Sequence, residues 1–468
     1  MGKTTIFCIF AEIIIIMSKV LISFLGVGDS GSRLYQSVPY KFIEDGCIVT
    51  NEFISLAIRD HYRIDKMILV GTKGSVWETF YHSLTHREDL IYEQLREACS
   101  NYSLSDELQQ EETTEPLIDH MTEIEKAMGN GSKVILINYG CNAVSQRFNS
   151  ERIMDIESYL NDDDEVYVDI THSFRSLPMY LMNCLIYIQR VKNIKISRIL
   201  YGMRDLSIDF VPIVELNSAL DIYDWISGVD ALMNYGNGYA IYEKLQNSDS
   251  DEDKIVGDYI ADYSDVFNVN SISNIREVVS SIKDLAVTQM HSKMGQLALR
   301  SIVDDCILLD AKSNETDSSY LLQLAKMQYN RRNYGVAFLA FKEAIIYYVV
   351  ESNTNDYIEI DEDLSRNISY AIKGCTYIDN NKENNNRSVK DKYHRWWSIT
   401  ESDNLPTKWV KKSLRGKDDL IKYFCLINDY RNGIAHLKQS NVGFLDMIED
   451  LDAALDKASE YLQEQPDV

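Results

Sequence analysis

Short apolar runs bounded by turn residues recur along the first 216 residues: "KVLISFLG" (19–26), "DKMILVGT" (65–72), "KVILINYG" (133–140), "DEVYVDIT" (164–171), "ISRILYG" (196–202) and "LSIDFVPIVEL" (206–216). Runs of this kind predict strands. Segments with helical spacing, such as "NSERIMDIESYL" and "LPMYLMNCLIYIQRV", lie between several of them. Alternating strand and helix predicts parallel strands joined by crossover helices, so the first half reads as α/β. From Asn217 onward no strand pattern is visible. Apolar residues at three- and four-residue intervals take over, as in "YGVAFLAFKEAIIYYVV" (334–350), and predict an all-helical second half. Two polar breaks, "QNSDSDED" (246–253) and "IDNNKENNNR" (378–387), read as solvated loops.

Length and charge sharpen this picture. A chain of 468 residues exceeds what one apolar core serves, so two or three domains are expected. The formal net charge of −25 argues against a large uniform surface for nucleic acid, and any such contact must be local. Eight cysteines are scattered without a C-x-x-C pair or a zinc-spaced cluster, and read as reduced packing thiols of a cytoplasmic protein. Residues 1–16 have a short apolar run interrupted by Glu12, too short to span a bilayer. Met17 directly precedes the first strand pattern, so 1–16 is expected to be a start-site extension or a peripheral strand. No membrane contact is expected.

Three strand ends carry polar chemistry. Backbone N–H groups and helix N-termini favour anions at the carboxyl ends of parallel strands. After the first strand comes "GVGDSG", with Gly26, Gly28, Asp29 and Gly31 in a G-x-G-x-x-G pattern. Read literally it suggests a nicotinamide dinucleotide, but Glu44 and Asp45 stand without a clear strand before them. The second end, "GTKGSVW", offers Thr72, Lys73 and Ser75 beside two glycines, or simply a tight turn with a cap. The third, "VDITHSFRSLP", closes a strand with Thr171, His172, Ser173 and Arg175. Four polar groups on one turn are costly to bury unpartnered and suit a phosphate-rich ligand. Each also has a structural alternative: Thr171 or Ser173 as a cap, His172 as a satisfied imidazole, Arg175 paired with Asp169.

These residues resemble a known family. "DITHSFRSLP" is similar to the D-x-T-H-G signature of CRISPR-associated ancillary proteins of type III systems, the Csx group with CARF domains, with Ser173 in place of the usual glycine. The likeness extends through the turns at 26–31 and 71–75, "NYGCN" (138–142), "LYGMRD" (200–205) and "DIYDWISGVDALMNYG" (221–236). It implies an α/β Rossmann-like sensor for a cyclic oligoadenylate made by a type III CRISPR complex, most often the four-adenylate ring. Gly28, Asp29, Thr72, Lys73, Ser75, Thr171, His172, Ser173 and Arg175 are the expected contacts. A two-fold symmetric ring suits a homodimer.

A second motif lies at "DYRNGIAHLK" (429–438), which resembles the R-x(4–6)-H signature of HEPN ribonucleases. Arg431 and His436 are five residues apart, about 500° of helix, and so project about 140° from one another. Either Gly433 distorts the helix, or two copies of the segment meet across a dimer. The resemblance implies a metal-independent cut of single-stranded RNA. His436 would move protons, Arg431 would steady the phosphate, Asn432 would orient, and a cyclic phosphate end would result. Between Arg387 and Lys422 ten Lys/Arg stand against five Asp/Glu, interleaved with Trp396, Trp397 and Trp409. Lys411, Lys412 and Trp409 are therefore candidate RNA contacts, or a core tryptophan beside a solvated face. The expected layout is an extension at 1–16, a CARF-like sensor at 17–216, an all-α connector at 217–317 and an all-α HEPN-like domain at 318–468. A non-catalytic, nucleotide-sensing regulator is the remaining alternative.

Overall fold

The computed structural model describes residues 17–27, 36–100, 115–129, 131–172, 176–204, 206, 209–268, 272–283, 285, 290–311, 316–354, 358–374, 376–378, 393–395, 405–435 and 443–462. The chain divides into two compact units, Met1–Tyr223 and Asp224–Val468.

The first unit is built on an eight-stranded sheet: β1 (Lys19–Leu25), β2 (Val38–Phe42), β3 (Ile48–Asn51), β4 (Lys66–Thr72), β5 (Lys133–Ile137), β6 (Glu165–Asp169), β7 (Lys195–Gly202) and β8 (Val211–Glu215). The spatial order is β3-β2-β8-β7-β6-β1-β4-β5. The block β7-β6-β1-β4-β5 is parallel. Its helices are α1 (Ile54–Tyr62), α2 (Trp77–Thr85), α3 (Leu90–Ser100), α4 (Glu115–Met128), α5 (Ala143–Met154) and α6 (Ser176–Val191).

Period-two alternation sorts the β1 side chains onto two faces. Leu21 and Leu25 join one buried cluster with residues of α1, α2, α3 and α4; Val20, Ile22 and Phe24 join another with residues of α5 and α6. Both faces are covered, which is why β4 is buried along its whole length and reads in sequence as a continuous apolar run.

Two expectations about this half are corrected. The residues before Glu44 and Asp45 do form a strand, β2, in a hairpin with β3. Pro39 and Lys41 hide the pattern, while Tyr40 and Phe42 are the buried pair of the alternation. The "LSIDFVPIVEL" run is a strand only over Val211–Glu215, and it pairs antiparallel with β7.

The second unit is helical. α7 (Ser218–Tyr235) enters it, followed by α8 (Tyr239–Gln246), α9 (Asp251–Asn268), α10 (Ile272–Lys283), α11 (Lys293–Ala311), α12 (Asp317–Asn330), α13 (Tyr334–Glu351), α14 (Glu362–Gly374), α15 (Leu405–Ser413), α16 (Asp418–Ala435) and α17 (Phe444–Leu462). One continuous apolar cluster, from Leu232 to Ala458, runs through it. The expectation of no strands is corrected by a small antiparallel ladder, β9 (Thr376–Ile378) with β10 (Tyr393–Arg395). Three residues a side are too few for a periodicity to show in sequence. Among the described residues no helix is long and apolar enough to cross a membrane.

Candidate functional site

The strand order makes β1 the switch point of the parallel block, with β4 on one side and β6 on the other. In open α/β sheets ligands bind at the carboxyl edge of such a point. The turns after β1, β4 and β6 are therefore neighbours, and these are the three polar turns of the sequence.

Hydrogen bonds tie the turns together. The Ser75 hydroxyl donates to Leu25 O at 2.8 Å, accepts from Thr72 N at 3.0 Å and lies 3.3 Å from Thr72 Oγ1. Val76 N donates to Gly26 O at 3.1 Å. Ser75 is fully buried, so it clips the β4 turn to the end of β1 with a hydroxyl already engaged by protein. Trp77 Nε1 donates to Thr72 O at 2.8 Å. The indole lies so close to the strand that a Cβ at Gly71 would stand 2.6 Å from Trp77 Cζ2, which explains the glycine. Thr72 is buried, and Lys73 is partly exposed at the turn.

The β6 turn is braced on both sides. Asp169, fully buried, accepts from Ser23 Oγ of β1 at 2.6 Å and from Thr171 N at 3.0 Å. Thr171 Oγ1 accepts from Gly202 N of β7 at 2.8 Å. A Cβ at Gly202 would stand 3.2 Å from Thr171 Cγ2 and 2.4 Å from Ile54 Cδ1, so a larger residue there would have to displace the tip of Ile54 and press on Thr171. The acidic and threonine members of the motif thus act as cross-strand braces. His172 follows, partly buried, with Cβ, Cγ and Nδ1 all 3.6 Å from where a Cβ on Gly26 would be. Burial holds its pKa below the ordinary histidine value; Asp169 pulls it up and Arg204 pushes it down. Gly28, Asp29, Ser173 and Arg175 lie outside the described residues.

In the second unit, Arg431 and Asn432 stand partly buried near the end of α16, where Arg431 Nη1 donates to Asn432 Oδ1 at 3.1 Å. The helix runs unbroken through Gly433 to Ala435, so the expected distortion at that glycine is not present. A Cβ at Gly433 would meet nothing within 4 Å. His436 lies outside the described residues, as do Trp396 and Trp397. Lys412 is exposed and Lys411 partly so, while Trp409 packs, partly buried, against the apolar cluster. Among the described residues no group of three or more His, Cys, Asp or Glu side chains could hold a metal ion.

Residues 20–205 match the family described as "CRISPR system endoribonuclease Csx1, CARF domain", and residues 221–307 match "CRISPR-associated protein MJ1674, second domain". Over 455 residues the chain is 28% identical to the CRISPR-associated protein MJ1674 of Methanocaldococcus jannaschii, covering 93% of this chain and 68% of that protein. Residues 20–205 are a Csx1-type CARF domain, in a chain similar to a CRISPR-associated protein over most of its length. Among solved structures, Enterococcus italicus Csm6 bound to cyclic hexa-2'-fluoro-hexa-dAMP is similar at a TM-score of 0.31 and 12% identity, covering 95% of this chain and 94% of that one.

Topology also disposes of the dinucleotide reading. That fingerprint needs an available acidic residue closing the strand beside β1; Asp169, which closes β6 there, is fully buried and already bonded to Ser23 Oγ and Thr171 N. Here the strand after the glycine turn, β2, is separated from β1 by β8, β7 and β6, so Glu44 and Asp45 stand far from the CARF domain's first turn.

Sequence analysis placed Asn138, Gly202 and Arg204 in segments that carry the likeness, but named neither them nor Ser23 as candidate contacts. Ser23 has a visible signal, a lone hydroxyl inside an apolar strand, which implies a buried partner. Arg204 and Gly202 reach the site only because β7 neighbours β6. Asn138, at the end of β5, is 3% exposed with no partner for its Nδ2, and Asn149 clamps its backbone with two 2.7 Å bonds. Nothing local announces that role.

Proposed function

We propose that this protein is an endoribonuclease switched on by a cyclic oligoadenylate in type III CRISPR defence. The observation that carries the reading is the meeting of the Gly26, Thr72 and Thr171–His172 turns on adjacent strands of a Csx-type CARF domain. N–H groups, hydroxyls, an ammonium and an imidazole at one carboxyl edge suit a ring of phosphates and adenosines. The four-adenylate ring is the expected activator, held across a homodimer.

For the chemistry, His436 takes the proton of an RNA 2′-hydroxyl as its oxygen attacks the adjacent phosphorus. The 5′-oxygen leaves with a proton given by the protonated His436 of the partner subunit, and a 2′,3′-cyclic phosphate forms. Arg431 balances the charge growing on the phosphoryl oxygens, and Asn432 orients Arg431. In this reading two copies of the segment meet across a homodimer, so that Arg431 and His436 reach one phosphate.

The test is RNA cleavage by the intact protein with and without each cyclic adenylate ring. Cleavage should depend on one ring and fall about 10²–10³-fold in Arg431→Ala, with ring affinity unchanged. His436→Ala should abolish it. A His436→Ala protein that cuts at the normal rate sinks the catalytic assignment.

A further inference from the structure

Two choices near the end of α16 cost stability without local compensation. Asn428 is 5% exposed, and its Nδ2 is buried with no hydrogen-bond partner. A buried amide donor without a partner has lost its hydration with nothing in exchange. Gly433 sits inside the helix with open space where a Cβ would go, and glycine is a poorer helix former than alanine. Neither is required by packing, and both lie within one helical turn of Arg431. Local penalties of this kind persist where function needs them.

The helix geometry says what Asn428 can do. It precedes Arg431 by three residues and Asn432 by four, so all three share a face, and amide side chains bond at that four-residue spacing. Asn432 Oδ1 has two lone pairs, of which Arg431 Nη1 uses one. We infer that Asn428 is a positioning residue: its Nδ2 donates to the second lone pair of Asn432 Oδ1 in the activated state, fixing that amide and through it the Arg431 guanidinium. The bond is not made in this structure. An interaction present in only one of two states biases the equilibrium between them, which makes this bond part of the switch.

This inference rests on the ribonuclease reading. Its test is a double-mutant cycle on the full-length protein with saturating ring, using Asn428→Leu, Asn428→Ala, Asn432→Ala and the double variant. Each Asn428 variant should lower kcat about tenfold to a hundredfold with KM within about twofold. The double variant should be no slower than Asn432→Ala alone. Asn428→Leu, relieved of an unpaired donor, should melt no lower than wild type. Additive effects, an unchanged kcat, or a kcat loss that tracks a lower melting temperature in both Asn428 variants overturns the role. Wild-type protein that cuts no RNA with any ring overturns the ribonuclease reading and this inference with it, whereas normal cutting by Asn428→Leu overturns this inference alone.

Discussion

His172 shows how much one residue's surroundings decide. Burial lowers its pKa, with Asp169 opposing and Arg204 assisting. The unfolded chain therefore takes up this proton before the folded one does. The residue's contribution to stability is whole above about pH 6.5 and is lost as the pH falls through the folded value. A phosphate-bearing ligand beside the imidazole reverses the preference, so ring binding should take up protons and strengthen between about pH 8 and 6. Calorimetry of ring binding in two buffers of different ionisation heat checks this, and equal heats remove His172 from the site. The sequence named His172 correctly as a polar residue at a strand end. It could not show that Asp169 pairs with Ser23, because the two are 146 residues apart.

At the scale of elements, the end of α16 is held from behind by a buried pair. Tyr430 Oη donates to Asp450 Oδ2 of α17 at 2.7 Å. Its pKa is pushed up to about 12, first by burial and then by Asp446 and Asp429. Tyr430→Phe deprives a carboxylate that is 1% exposed of this donor. A loss of about 1–3 kcal/mol in guanidinium unfolding is expected. No loss would mean that apolar contacts alone join the two helices. Periodicity made α16 visible in sequence. It did not reveal that Gly433 leaves the helix intact, since glycine permits a bend without forcing one.

The whole molecule carries a net charge of −25, yet Lys408 and Lys412 on α15 and Arg415 just after it are exposed, with Lys411 partly so. If these grip RNA, cleavage should weaken steeply with salt. Lys411→Ala/Lys412→Ala should flatten that dependence by roughly 0.7 in log–log slope for each RNA phosphate those lysines neutralise. An unchanged slope removes the patch from the reading. Trp409 is partly buried and packs against the apolar cluster.

Sequence alone determined the α/β character of the first half, the helical character of the second and the polar residues at the strand ends, because apolar period and turn residues act over a few positions. It failed on the β2–β3 hairpin and the β9–β10 ladder, whose strands are short or broken by proline. Tertiary structure alone decided that β1 lies between β4 and β6. Strand pairing depends on contacts between distant residues, and only that order gathers three separate polar turns at one edge while removing β2 from it.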